Sequence, residues 1–177
     1  SELTRLTGEI VRMGELSVTQ LEAAIDVLER RDERAAQRVV GNDEAIDQLE
    51  QEIGHEVVRL LALRAPMAGD LRNVYAALRI ASDIERIGDY AANVAKRSIP
   101  LSMVAPVAPV HGLNHLASLA AEEVREVLAA YRDRDVERAY QVWKNDVVLD
   151  EAYTGYFRQL LTYMMEDPRN ITPCTHL

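Results

Sequence analysis

Among 177 residues there is one cysteine (Cys174), one phenylalanine and one tryptophan. A single cysteine excludes an internal disulfide and removes thiolate zinc clusters. Glycine (8) and proline (6) are too few and too unevenly spread for the turns of a β protein, and no β-branched alternation is present. No apolar run reaches the roughly 18 residues a membrane-crossing helix needs. The amino terminus, SELTRLTGEIVRMGEL, is charged and lacks the apolar segment of a signal peptide. Basic residues are in the minority, 20 against 29 acidic, giving a formal net charge of -9. Binders of nucleic acid or anionic membrane carry basic surfaces, so neither class fits and no nucleic-acid partner is expected. A cytoplasmic location is the default expectation. No P-loop, Gly-x-Ser-x-Gly elbow or dinucleotide fingerprint occurs.

What the chain does contain is helical periodicity. Apolar residues make up 48% of it and charged residues 28%, the balance of a folded soluble protein. Leu3, Leu6, Ile10, Met13, Leu16, Leu21, Ile25 and Leu28 predict a helix over 1–30. Val39, Ile46, Leu49, Ile53, Val57 and Leu60 predict another over 32–63. The stretch RAPMAGD (64–70) interrupts with Pro66 and Gly69. A third helix is expected from about Asp70 to Arg97. The uncharged, proline-bearing segment 99–112 reads as a linker unable to continue a helix, lying on the bundle. Helices at about 113–133 and 134–165 follow, then a break at Glu166-Asp167-Pro168 and a new start near Pro168.

The second half repeats the first. A shift of 103 positions lays 31–47 on 134–150 with seven identities in seventeen, including Arg31/Arg134, Asp32/Asp135, Asp43/Asp146 and Asp47/Asp150. Long helices with short connections pack as antiparallel neighbours. The expected fold is all-α, two tandem three-helix bundles: a first repeat at 1–98, a linker at 99–112 and a second repeat at 113–177. The closing RNITPCTHL gives the last helix barely ten residues, so the chain is expected to be cut short there, leaving an apolar groove that another copy of the chain could fill.

Carboxylates recur four apart, where they share a helix face and repel. Eight such pairs occur, and at this acidic content a solvated face accounts for most of them. Position says more than number. On a helical wheel Val74, Leu78, Ala81, Gly88 and Ala92 define one face of the third helix, with Asp70 and Glu85 inside it and Asp89 at its edge. In the second helix Asp43 lies beside Val39, Ile46 and Leu61, with Asp47 further out. A buried lone carboxylate takes up a proton, and several converging ones need a cation or basic partners. Oxygen-only ligands suit Mg²⁺, Mn²⁺, Ca²⁺ and iron. Pairing with nearby arginines and simple exposure remain alternatives. His55, His111, His115 and His176 fall at no ligand spacing and read as surface or boundary residues. Trp143, Met164 and Met165 read as core. Ile80, Ile87 and Val94 form a second apolar stripe, a contact with another helix or a dimer interface.

Residues 64–93, RAPMAGDLRNVYAALRIASDIERIGDYAAN, resemble the signature of the PhoU family. The matching elements are Ala65-Pro66-Met67, Asp70-Leu71-Arg72 and Asp83-Ile84-Glu85-Arg86-Ile87-Gly88-Asp89. Asn42-Asp43 with Asp47 resembles the family's second-helix motif, and Leu161 to Pro168 its second repeat. The resemblance implies a cytoplasmic negative regulator of phosphate uptake and of the phosphate-starvation response, possessing no catalytic activity. Its implied partners are a sensor histidine kinase and the ATPase subunit of the phosphate ABC transporter, with contact at the inner membrane face through them, and a homodimer is expected. It also implies metal (Mg, Mn, Fe or Zn) at Glu/Asp-x-x-x-Asp motifs: Asp43/Asp47 and Glu85/Asp89 in repeat one, Asp146/Asp150 in repeat two, with Asp70 added because it opens the third helix. The family's second Glu-Arg-x-Gly-Asp motif would fall beyond Leu177, and Asn170 stands where repeat one has Asp70, so a full second site is not expected. A metal-dependent phosphate-ester hydrolase and a purely structural helical module are the competing readings.

Overall fold

The computed structural model describes residues 2–64 and 67–177; the expected turn at Ala65 and Pro66 lies outside them. Among the described residues six helices appear: α1 (Glu2–Arg30), α2 (Glu33–Arg64), α3 (Ala68–Leu101), α4 (Val110–Asp133), α5 (Val136–Glu166) and α6 (Ile171–His176). A 3-10 turn at Pro168–Asn170 precedes α6. No strand occurs among the described residues.

The periodic apolar residues do what their spacing requires. Leu6, Ile10 and Met13 of α1, Ile46 and Val57 of α2 and Ala77 of α3 close into one core, each at most 2% exposed. Burial of a large apolar side chain contributes about 1.5–3 kcal/mol. A smaller cluster of Ala24, Val27, Ala36, Val39, Ala91 and Ala95 continues it toward the other end. Alanines there let the three helices approach closely.

The repeat is visible in backbone detail. Arg31 and Arg134 both adopt left-handed φ, 59° and 53°. The next residue in each repeat is an aspartate whose Oδ1 accepts the N–H three residues on, Ala35 for Asp32 at 3.0 Å and Arg138 for Asp135 at 2.9 Å. Each aspartate thereby caps the following helix.

The two repeats share a wall. Helix α4 packs on α1, and Leu128 of α4 is part of the first core. Gly14 makes this possible: a Cβ there would lie 2.5 Å from Leu128 Cδ1. Arg125 of α4 grips Glu22 of α1 with two hydrogen bonds of 2.8 and 3.1 Å.

Several expectations need correction. Helix α3 runs through Pro100 to Leu101. Proline there removes one bond to the Lys96 carbonyl, and both residues are exposed, so water can satisfy the orphaned oxygen. The true connection is 102–109. Within it Met103 is 79% exposed, whereas Pro109 is fully buried and its carbonyl accepts a 2.9 Å hydrogen bond from the Tyr156 hydroxyl. Trp143 and Met165 are not core: they are 71% and 85% exposed, because among the described residues α5 packs on α4, on the 3-10 turn and on the short α6, and on nothing else. Leu78 likewise faces out, while Val74, Ala81, Gly88 and Ala92 are buried as expected. The second stripe is partly resolved as core contact, with Ile80 against the main cluster and Val94 against the smaller one.

Candidate functional site

Helices α2 and α3 bring carboxylates together midway along the first bundle. Asp43 and Asp47 sit one turn apart on α2, and Asp89 faces them from α3. One oxygen from each lies within 4.8 Å of the others. Asp43 and Asp47 are half-buried, and Asp89 is exposed. The Oδ1 atoms of both Asp43 and Asp47 are fully buried with no hydrogen-bond partner. Gly88 permits the approach: a Cβ there would meet Ile46 Cδ1 at 2.9 Å and Asp43 Oδ1 at 3.4 Å.

Glu85 stands one turn before Asp89 on the same face. Burial pushes its carboxyl up to about 7, aided by the Asp89 charge, a hydrogen bond to Asp89, and the charges of Glu50 and Asp47. Burial also raises Asp43, with Asp47 and Asp89 adding to the effect and Lys96 opposing it. So many mutually raised acids describe a place short of positive charge. Two orphaned buried oxygens in an oxygen-only donor set fit a hard divalent cation. Among the described residues, Asp43, Asp47 and Asp89 are the ones whose oxygens converge closely enough to share one, with Glu85 alongside through its contact with Asp89.

Asp70 does not join them. It lies exposed in the first turn of α3, about 28 Å along the helix from Asp89 at 1.5 Å per residue. Asp146 and Asp150 occupy the repeat-equivalent places on α5, both exposed. Their companion is Glu123 of α4, raised by burial, by the charge of and a hydrogen bond to Asp146, and by the Asp150 charge.

Three participants escaped the spacing argument. Glu50 lies seven residues beyond Asp43, on the same face of α2, and Lys96 seven beyond Asp89 on α3; that step of two turns was the available signal. Glu123 had none of its own, since its repeat equivalent is Gln20, an amide whose Oε1 is buried without a partner. Of the histidines, His111 is exposed and pairs with Glu29 at 2.7 Å across the repeat junction, where Asn114 also donates to Glu29.

No helix among the described residues is long and apolar enough to cross a membrane. The model of the PhoU domain matches residues 10–98 and again 113–176. The chain is 61% identical over 176 residues to a phosphate-specific transport system accessory protein PhoU homolog of Xylella fastidiosa, covering 99% of this chain and 73% of that protein. A homolog of the same description from Caulobacter vibrioides is 44% identical, with 99% and 77% covered. Among solved structures, PhoU from Pseudomonas aeruginosa superposes with a TM-score of 0.91 at 36% identity, covering 99% of this chain and 84% of that one. The phosphate transport system regulatory protein PhoU from Streptococcus pneumoniae gives 0.85 at 26%, covering 99% and 86%. With the family's domain matched in both repeats and a relative 61% identical over nearly the whole chain, this chain belongs to the PhoU family.

Proposed function

We propose that this chain is a regulatory accessory of phosphate transport that works by contact and not by turnover. Its relatives bear the name of phosphate-specific transport system accessory proteins, and that supports the role. The partners in this reading are the ATPase subunit of the phosphate ABC transporter and a phosphate-sensing histidine kinase, met in the cytoplasm at the inner membrane face. Docking of the acidic helical surface shifts a partner between two states, and it does so only through a difference in affinity for them.

The observation that carries the reading of the site is the pair of orphaned buried oxygens on Asp43 and Asp47. A divalent cation held by these two with Glu85 and Asp89 would neutralise the repelling charges and brace α2 against α3. A bound metal of this kind supplies charge compensation. The protein's own part is to hold the four carboxylates on two rigid helices.

The hydrolase reading has one feature in its favour, the Lys96 cation facing Asp43. Against it, no histidine joins the described cluster. Two measurements test the proposal. Elemental mass spectrometry of wild type and Glu85→Ala/Asp89→Ala reads stoichiometric metal, expected in the first and lost in the second. A phosphate-starvation reporter in a bacterium lacking its own PhoU reads repression when this chain is supplied. Absence of metal from the wild type overturns the site, and failure of repression overturns the regulatory role. Metal-dependent turnover of a phosphate ester, lost in Glu85→Ala, would favour the hydrolase.

A further inference from the structure

Two apolar clusters fill the first bundle, and a polar layer parts them. One ends at Met13 on α1, Ile46 on α2 and Ile84 on α3. The other begins at Ala24, Val39 and Ala91 on the same three helices. Between these limits α1 places Ser17 and Gln20, α2 places Asp43 and α3 places Gly88. Ser17 is 0% exposed. Its Oγ, Gln20 Oε1 and Asp43 Oδ1 are buried without a hydrogen-bond partner, and so is Asp47 Oδ1 one turn along α2. Orphaned buried oxygens gathered in one place need an explanation. Apart from the serine hydroxyl they can only accept, so a positive ion satisfies them and a further acceptor does not.

The internal repeat gives Gln20 its neighbours. The shift of 103 positions lays Gln20 on Glu123, Asp43 on Asp146 and Asp47 on Asp150. In the second repeat Glu123 of α4 shares a hydrogen bond with Asp146 and feels the charge of Asp150. By the same packing α1 presents Gln20 to Asp43 and Asp47. Gly88 leaves room in this layer, since a Cβ there would already meet Asp43 Oδ1 at 3.4 Å. The exchange of glutamate for glutamine has a physical meaning. Asp43, Asp47, Glu85 and Asp89 already repel one another, and an amide carbonyl adds an oxygen donor without adding negative charge. Side-chain amide oxygens are ordinary ligands of hard cations.

We propose that Gln20 Oε1 is a further ligand of the cation at Asp43, Asp47 and Asp89, so that three helices build the site and not two. The inference rests on the reading of that cluster as a cation site. A ligand on α1 ties the ion to the helix on which α4 of the second repeat packs.

The test is titration of the chelator-stripped chain with Mn²⁺, read by calorimetry for affinity and by water-proton relaxivity for the waters left on the bound ion. Gln20→Leu keeps the bulk of the side chain and removes its oxygen. It is expected to weaken Mn²⁺ binding by about tenfold or more and to add one exchanging water to the ion, with helical circular dichroism unchanged. Gln20→Glu keeps an oxygen at the same reach and is expected to bind at least as tightly as wild type, with no added water. Equal affinity and relaxivity in Gln20→Leu and wild type would overturn the proposal. Tighter binding by Gln20→Leu would also overturn it, since the amide would then be turning its N–H groups to the carboxylates. A folded wild type that takes up no Mn²⁺ overturns the reading of the acidic cluster and this inference with it, a failure told apart by its appearance before any substitution is made.

Discussion

Arg31 and Arg134 hold the same left-handed backbone conformation at the same place in the two repeats. An L-residue with a Cβ costs about 1–2 kcal/mol there relative to glycine. The two arginines differ in return. Arg31 reaches across to the carbonyls of Ser102 and Val104 in the connection between repeats, whereas no hydrogen bond from the Arg134 side chain to those carbonyls exists. Arg134→Gly is expected to stabilise the protein by about 0.5–1 kcal/mol, allowing for the freer unfolded chain. Arg31→Gly loses charged hydrogen bonds of about 1.5–3 kcal/mol and is expected to destabilise. Denaturant unfolding of the two variants side by side checks the contrast; equal shifts would show that the Arg31 contacts contribute nothing.

The acidic cluster gives the metal-free protein a pH dependence of definite sign. The folded state holds a proton on Glu85 up to about 7, whereas the ordinary value is 4.5. Stability from this group is fully present below about 4.5 and is lost as pH rises through 7. Asp43 and Glu123 act in the same direction. Glu29, Glu56 and Glu126 are lowered by their hydrogen-bond partners, so their contribution is lost as pH falls below the usual carboxylate range. In chelator, Tm is expected to fall between pH 5 and 7.5, and Glu85→Gln to remove most of that fall. Calorimetry across this window decides, and a flat wild-type profile would contradict the electrostatics.

Neutralising the orphaned pair separates folding from binding. Asp43→Asn/Asp47→Asn removes repulsion while keeping shape, so the metal-free variant is expected to melt higher than wild type. Added Mn²⁺ should raise the wild-type Tm, since a ligand that binds only the folded state stabilises it, and should leave the variant unmoved. Thermal melts with and without 1 mM Mn²⁺ read both effects.

Gly14 is expected to tolerate no side chain. Leu128 is 2% exposed, so it has nowhere to retreat from an added Cβ. Overpacking costs about 1–3 kcal/mol, against about 1 kcal/mol of helix propensity gained by alanine. Gly14→Ala should therefore lower stability, and Gly14→Val more so, as read by urea midpoints.

The helices and the repeat were legible because their signals are dense and local: every turn of α1 states its buried face. The approach of Asp43, Asp47 and Asp89 was legible because a four-residue step on a long helix fixes a shared face. Asp70 was misplaced by the same reasoning. The wheel gives angle and ignores height, and five turns separate it from Asp89. Trp143 was misread because an apolar side chain declares a need for cover without saying whether its own chain provides it. Glu123 was illegible because its contact with Asp146 depends on how α4 and α5 pack, which no spacing within one helix encodes.

Leu128 lies in the core of the first repeat though α4 belongs to the second. The second bundle therefore has no independent interior at this end; part of its hydrophobic surface is an extension of its neighbour's. Chains emerge from the ribosome amino terminus first, and domains tend to fold in that order. Helices α1 to α3 would already be assembled when α4 appears, offering Gly14 as a prepared notch. The later helices would then add onto an existing surface, and their folding rate would report the integrity of the earlier one.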